Sequence, residues 1–281
     1  MLVCHSIADT QSARKQLVGT VALVPTMGNL HAGHLSLVRE AQKSADHVIV
    51  SIFVNPMQFG PSEDLDSYPR TMADDEAKLR ELGVDILFIP TVSVIYPDGV
   101  ENHTQIIVPN LTNNYCGKNR PGHFTGVATI VLKLLSICAP DVAIYGKKDF
   151  QQLAVIRKLA SDMALTTQII GCETSRNEHG LALSSRNQYL SDSELTIAAQ
   201  LYANLVTTKN AILCGQTNYQ LLCDEAIARL TDNGFDMEYF SIADQNTLLS
   251  ASSSTTDLVI LAAGKLATTR LIDNTDFSLT N

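Results

Sequence analysis

The chain has 281 residues, enough for one large domain or two modest ones with a sizeable core. Its 45% hydrophobic and 17% charged content suits a soluble globular protein. A formal net charge of −9 argues against a nucleic-acid partner, which calls for a basic stripe, but a few local cations can still hold a small anionic molecule in a cleft.

The opening segment, MLVCHSIADTQSARKQ, lacks a long apolar run behind a basic start, so no secretory signal is expected. Residues 19–24 read as a short buried strand with Val21, Leu23 and Val24 as its apolar content. Pro25 and Gly28 are expected to break it, and residues 33–45 carry helical periodicity through Leu35, Val38 and Ala41. His31 and His34 stand where strand passes into helix, at a spacing that keeps both imidazoles on one side. A helix start also offers unpaired backbone N–H groups and a partial positive charge, a seat for phosphate.

Residues 47–54 read as a second buried strand that closes a βαβ unit. A helix over 74–82, a strand over 85–89, a helix over 126–138, a strand over 142–145, a helix over 149–163 and a strand over 167–172 follow. The most apolar stretch, 127–139, is interrupted by Lys133 and is too short to span a bilayer, so it reads as a core helix and no membrane association is expected. This alternation predicts an α/β fold with a doubly wound parallel sheet, its ligands beyond the C-terminal strand ends. The texture changes near residue 187. Helices over 191–206 and 219–232 precede short strands at about 237–242, 258–262 and 268–272, with a polar loop at 250–256. The expected domains are therefore 1–186 and a smaller α+β domain over 187–281. Cys4, Cys116, Cys138, Cys172, Cys214 and Cys223 show no CxxC spacing, so reduced thiols in a cytoplasmic protein are expected.

Several polar blocks follow the predicted strands. An isolated HxxH also fits half a metal site or a solvated loop. Behind Pro25-Thr26-Met27-Gly28, in a strand–loop–helix setting, it points instead to a nucleotide site, where two imidazoles donate to a phosphate gaining charge in a transition state. Asn55 and Gln58 can hydrogen-bond a hydroxy acid or carboxylate, although turn chemistry alone explains polar residues there. Asp74 and Asp75 suit the macrodipole at a helix start, or alternatively the Mg²⁺ that accompanies ATP. Arg120 and His123 either line a cleft or belong to a capped loop. Gly146 lets backbone approach a ligand, Lys148 offers a phosphate contact, and Asp149 either caps a helix or accepts from ribose hydroxyls. Ser184, Ser185 and Arg186 combine hydroxyls with a guanidinium fork, a polyphosphate grip that is also common loop composition.

HxGH after an early strand resembles the signature of the nucleotidylyltransferase superfamily. Together and in order, PTMGNLHAGH, SIFVNPMQF, YPRT, RPGHFTGV, YGKKDFQQL and GLALSSRN resemble the pantoate–β-alanine ligase family over the N-terminal two-thirds of the chain. The resemblance implies a Rossmann-like first domain, a second domain that closes over the cleft, and a homodimer. It implies a two-step reaction in which the carboxylate of pantoate attacks the α-phosphate of MgATP, and β-alanine then displaces AMP from the pantoyl adenylate. It also implies roles by position. Met27, Gly28, Asn29, Leu30, His31, Ala32, Gly33 and His34 line the ATP site, with His34 as proton donor and His31 beside it on the phosphates. Gly146, Lys147, Lys148 and Asp149 contact ATP, Ser175 meets adenine through its backbone, and Leu183, Ser184, Ser185 and Arg186 complete the nucleotide site. His31, His34, Lys148 and Arg186 carry the catalysis; Gln58 and Gln152 hold pantoate, and Gln58 also meets β-alanine. Asp74 and Asp75 are the candidates for Mg²⁺. Three positions depart from the family pattern: Asn29, Cys116 and His179. A superfamily member acting on a phosphate ester would call for more cations than Gln58 and Gln152 supply.

Overall fold

Short apolar runs build the larger sheet. In the computed structural model, which describes residues 1–61 and 63–279, they are Leu2–Cys4 (β1), Val21–Thr26 (β2), His47–Ile52 (β3), Ile86–Phe88 (β4), Val142–Gly146 (β5) and Gln168–Cys172 (β6). All pair in parallel, in the order β1-β4-β3-β2-β5-β6. The helices associated with them are Ile7–Gln16 (α1), Ala32–Ser44 (α2), Met72–Glu81 (α3), Val92–Ile95 (α4), Tyr115–Asn119 (α5), His123–Cys138 (α6) and Phe150–Asp162 (α7). Val38 and Ala41 of α2 and Leu79 of α3 pack with Ala22, Val24, Val50, Leu87 and Ile144 of the sheet. This is the doubly wound α/β arrangement expected from the alternation. From β2 the chain steps outward to β3 and β4, and later to β5 and β6 on the other side, so the strand order reverses between β2 and β5. Ligands of open α/β sheets bind at that reversal, beyond the carboxyl ends of the strands.

Pro25 does not break β2, as its sequence position led us to expect; the strand runs on through Thr26. The carbonyls of Thr20 and Thr26 accept from His47 and Phe53 on the β3 side, whereas that of Val21 accepts from Asp141 on the β5 side. Alternation therefore turns the missing N–H of Pro25 toward β5. There the pairing covers only Ala22 and Leu23, so no ladder bond is lost and β2 and β5 part before their ends.

The N-terminal β1 and α1 were not expected from sequence. Three strand residues give no periodicity, and α1 buries only Thr10 and Ala13. Lys133, the charged interruption of α6, sends its ammonium to the carbonyl oxygen of Ile95 and lies 5.6 Å from the centre of the Tyr96 ring. Burial holds its pKa below the ordinary value. Among the described residues no helix is long and apolar enough to cross a membrane, and no disulfide joins any of the six cysteines.

By packing, the chain forms two units: Met1–Gly146 with Gln152–Glu173, and Lys147–Gln151 with the chain from Thr174 onward. The change of texture read near residue 187 falls inside the second unit. That unit carries Asp192–Ala198 (α8), Gln200–Leu213 (α9) and Tyr219–Asp232 (α10) beside an antiparallel sheet of Phe235–Asp244 (β7), Asp257–Leu266 (β8) and Thr269–Ser278 (β9). Leu201, Leu205, Ala226 and Leu230 of the helices pack on Phe240, Ile242, Leu258 and Ile260 of the strands. The single helix expected over 191–206 is two, meeting at Ala199, which keeps right-handed helical angles. The strands are each ten residues, longer than expected. Residues 258–263 of β8 are all buried, which erases the alternation that would mark the strand's extent.

Candidate active site

Two imidazoles cap α2. His31 is the residue before the helix, and its Nδ1 accepts from the N–H of Gly33 at 3.2 Å. The Nδ1 of His34 accepts from the N–H of His31 at 3.4 Å, closing a reciprocal capping box. The rings lie 4.1 Å apart, centre to centre. A neutral imidazole with Nδ1 as acceptor carries its proton on Nε2. Both rings therefore present Nε2–H as a donor, on one side of the helix start. Sequence reasoning expected backbone N–H groups to be left unpaired at this end, but those of His31 and Gly33 are already satisfied by the rings.

The loop between β2 and α2 is held by α3. Asp75, 1% exposed, accepts from the N–H of Asn29 on Oδ2 and from the N–H of Leu30 on Oδ1, both at 2.8 Å. Thr71 donates its hydroxyl to the same Oδ1, and Lys78 donates to the carbonyl oxygen of Leu30 at 2.8 Å. Leu30 thus has a buried side chain, an occupied N–H and an occupied carbonyl. Gly28 has φ +85°, and a Cβ there would lie 3.1 Å from Ile52 and 3.3 Å from Asp75. Asn29 follows at φ 51°, a left-handed conformation that asparagine tolerates better than most residues, which accounts for its presence in the loop. Asp74 is exposed on the first turn of α3. Neither carboxylate joins a metal cluster: among the described residues no group of three or more His, Cys, Asp or Glu is placed to hold an ion.

After β3, the turn Pro56–Gln58 is capped by Asn55, which is buried. The Asn55 amide uses its full capacity of two donors and two acceptor lone pairs. It donates to the carbonyl of Gly126 at 3.1 Å and to Oε1 of Gln58 at 3.2 Å, and it accepts from the N–H of Met57 at 3.3 Å and the hydroxyl of Tyr96 at 2.7 Å. The ligand-binding option read for Asn55 is therefore closed by its internal bonds. Gln58 is turned so that Nε2 faces the sulfur of Met27 at 3.0 Å. Gly126 lets α6 come this close, since a Cβ there would fall 2.3 Å from the carbonyl oxygen of Met57.

Arg120 and His123 fasten the same turn from its backbone side. His123 gives Nδ1–H to the carbonyl of Gln58 at 2.7 Å and receives Arg120 on Nε2 at 3.0 Å, the opposite tautomer to the capping histidines. Arg120 forks onto Glu63 at 2.7 and 2.5 Å. Burial by itself would raise the Glu63 carboxyl, but the hydrogen bonds and charge of Arg120 outweigh it and hold the group below its ordinary value of 4.5. Of the alternatives read for Arg120 and His123, the geometry realises a braced loop. Gln152 lies half-buried on α7, and Gly146 ends β5.

The second unit holds the remaining predicted residues. Lys147 pairs with Asp276 at 2.8 Å, whereas the carboxylate nearest Lys148 is Asp149, at 3.7 Å. The amide of Asn274 donates to the carbonyls of both lysines at 2.9 and 2.8 Å, fixing the backbone that carries them. Asn274 is seated by its neighbour Asp273, which is buried and takes a two-pronged contact from Arg176 at 2.6 and 2.9 Å. Arg176 also stacks 3.5 Å over the ring of Tyr202. Ser175 accepts from the N–H of Leu183 at 2.9 Å, and Ser184 caps the turn Ser185–Tyr189 through the N–H of Arg186. His179 stands in an exposed turn, and Cys116 is buried. Sequence reasoning missed Tyr96, Asn274 and Asp273, because none lies in a polar block after a parallel strand.

A family model described as Pantoate-beta-alanine ligase matches residues 2–276. The pantothenate synthetase of Neisseria meningitidis serogroup A / serotype 4A is 50% identical over 279 residues, covering 99% of this chain and 100% of the relative. Among solved structures, pantothenate synthetase from Thermus thermophilus is 39% identical with a TM-score of 0.91, covering 98% of this chain and 99% of that one. Pantoate-beta-alanine ligase from Francisella tularensis, solved in complex with beta-gamma ATP and beta-alanine, is 36% identical with a TM-score of 0.80, covering 98% and 97%.

Two consequences follow for stability. Asp75→Ala orphans the buried N–H of Leu30 and the half-buried N–H of Asn29, and is expected to lower unfolding stability by about 1–3 kcal/mol in urea titrations. Glu63, whose pKa is depressed on folding, contributes stability above its unfolded value that is lost as pH falls through the folded one. The stability margin of the wild type over Glu63→Gln should therefore shrink between about pH 6 and about pH 3, measured by the same titrations.

Proposed function

The chain belongs to the pantoate–β-alanine ligase family and condenses (R)-pantoate with β-alanine using ATP; we propose how its residues divide that work. The observation that carries the reading is the histidine capping box, which places two imidazoles with the proton on Nε2 at one helix start beyond the carboxyl end of β2. In the first step a carboxylate oxygen of pantoate forms a bond to the α-phosphorus of ATP, and the bond from that phosphorus to pyrophosphate breaks. Negative charge grows on the phosphate oxygens. His34 and His31 meet it with N–H donors whose aim is set before substrate arrives. Lys148 and Arg186 bring positive charge to the leaving phosphates, and Lys147, which pairs with Asp276, adds a further contact to ATP.

The rest of the nucleotide is assigned to backbone and small side chains. Met27, Gly28, Asn29, Ala32 and Gly33 line the nucleotide on the capped loop, with Leu30 anchoring it from below. Gly146, Asp149, Ser175, Leu183, Ser184 and Ser185 complete the contacts, Asp149 toward the ribose. Gln58 and Gln152 hold pantoate through neutral amides, which suit a hydroxy acid better than a phosphate ester. In the second step β-alanine, which Gln58 also meets, attacks the acyl carbon of pantoyl adenylate through its amine. AMP leaves with the electron pair of the broken bond, and the surplus amine proton passes to solvent. No side-chain nucleophile is needed. Holding the reactants in line is worth on the order of 7–11 kcal/mol in such reactions.

Asp74 and Asp75 do not fit a resident Mg²⁺. Asp75 is spent on two backbone N–H groups and a hydroxyl, and Asp74 stands exposed on the helix. Magnesium is assigned to the substrate, as MgATP. We further assign the enzyme to the cytoplasm, which suits six cysteines without a disulfide, and to a homodimer, a stoichiometry that sedimentation measures directly.

The deciding assay separates nucleotides by chromatography after incubation with MgATP and pantoate, with and without β-alanine. AMP and pantothenate formed in equal amounts, only with all three substrates present, support the assignment. Turnover that ignores the amine counts against it. In the same assay His34→Ala is expected to bind ATP normally and to form adenylate about a hundredfold more slowly, the scale of one transition-state donor. Near-normal turnover would remove His34 from the mechanism.

A further inference from the structure

Tyr96 lies outside every block that suggested function, yet it ends a chain of contacts that reaches Gln58. Its ring is 2% exposed and is enclosed by Phe53, by His103 edge-on at 4.9 Å between centres, and by the ammonium of Lys133. A ring held on these sides fixes the direction of its hydroxyl. That hydroxyl donates to Oδ1 of Asn55 at 2.7 Å, the shortest of the four bonds the Asn55 amide makes; the other three span 3.1 to 3.3 Å. Asn55 in turn places an N–H on Oε1 of Gln58. With Oε1 occupied by Asn55, the Gln58 amide is held with Nε2 on the side of the Met27 sulfur, 3.0 Å away, and its second N–H is the group left to meet a substrate.

We propose that Tyr96 is a positioning residue for pantoate: through Asn55 it fixes which end of the Gln58 amide meets the substrate, so that Gln58 acts as a hydrogen-bond donor to the hydroxy acid. The inference rests on the assignment of Gln58 to pantoate made above. A phenol is protonated at neutral pH, and burial pushes the Tyr96 pKa further up from its ordinary value, so the hydroxyl stays a donor throughout the working pH range. The chain also gives Gln58 a chemical preference. An amide that meets its substrate through an N–H favours an acceptor, such as a hydroxyl or carboxylate oxygen, and disfavours an ammonium group.

The test is a double-mutant cycle in steady-state kinetics, using Tyr96→Phe, Gln58→Ala and the double variant of the full-length enzyme. Tyr96→Phe keeps the ring and removes only the donor. It is expected to raise the KM for pantoate about three- to tenfold, the scale of one net hydrogen bond, while the KM for ATP stays unchanged. In the Gln58→Ala background the same change should have no further effect, because the group it orients is gone. A Tyr96 effect that persists undiminished in that background, or an unchanged pantoate KM beside a clear Gln58→Ala defect, overturns the proposal. So does a joint loss of ATP and pantoate binding, which would assign the hydroxyl to the fold. If Gln58→Ala itself leaves the pantoate KM unchanged, the assignment of Gln58 fails first and takes this proposal with it.

Discussion

The buried carboxylate of Asp75 is the contact on which the candidate site most depends. It lies on α3, away from the histidines in sequence, and ties down the N–H groups of Asn29 and Leu30. Both residues sit in a loop that turns through left-handed backbone at Gly28 and Asn29. Such a loop cannot satisfy its own N–H groups with a regular ladder, and leaving them buried and unpaired costs on the order of 1–3 kcal/mol each. Lys78, one turn along the same helix, secures the carbonyl of Leu30. With the loop fixed at both N–H and C=O, α2 begins where His31 and His34 can cap it.

The capping box joins stability to chemistry. A helix start usually has orphan N–H groups to satisfy, and serine, threonine or aspartate most often satisfies them. Here imidazoles take that place. Each uses the nitrogen nearer the backbone as acceptor, which leaves the tautomer no choice and puts the proton on the other nitrogen. The bonds that stabilise the helix therefore also orient the donors. A short hydroxyl side chain would cap as well but would have nothing left to present.

The same economy recurs at Gln58 and at the two lysines. The Gln58 backbone is gripped by His123 and its side chain by Asn55, so a flexible amide becomes a directed one. In the second unit Asp273 holds Arg176, and Asn274 holds the carbonyls of Lys147 and Lys148. Asp276 occupies Lys147, so neighbouring lysines in one motif have different electrostatic surroundings. In each case the residue that would face substrate is exposed enough to act and is steered by a buried partner.

The sequence by itself determined the parallel α/β sheet, the helices that pack on it, and the location of HxGH where a strand passes into a helix. Those features are local: they follow from apolar periodicity, glycine and proline positions, and side-chain spacing along a few turns. It also carried enough ordered blocks to resemble one family. Other features needed the tertiary structure. Pro25 was misread as a strand end because only the pairing partner decides whether a missing N–H matters. Asp75 read as a dipole partner or metal ligand because its real partners, Asn29 and Leu30, lie 46 and 45 residues away. Asn55 read as either a turn residue or a ligand group until Tyr96 and Gly126 filled its valences from distant segments. A side chain's chemistry is written in its residue type, but whether that chemistry is turned outward or spent on the fold depends on contacts between segments far apart in the chain.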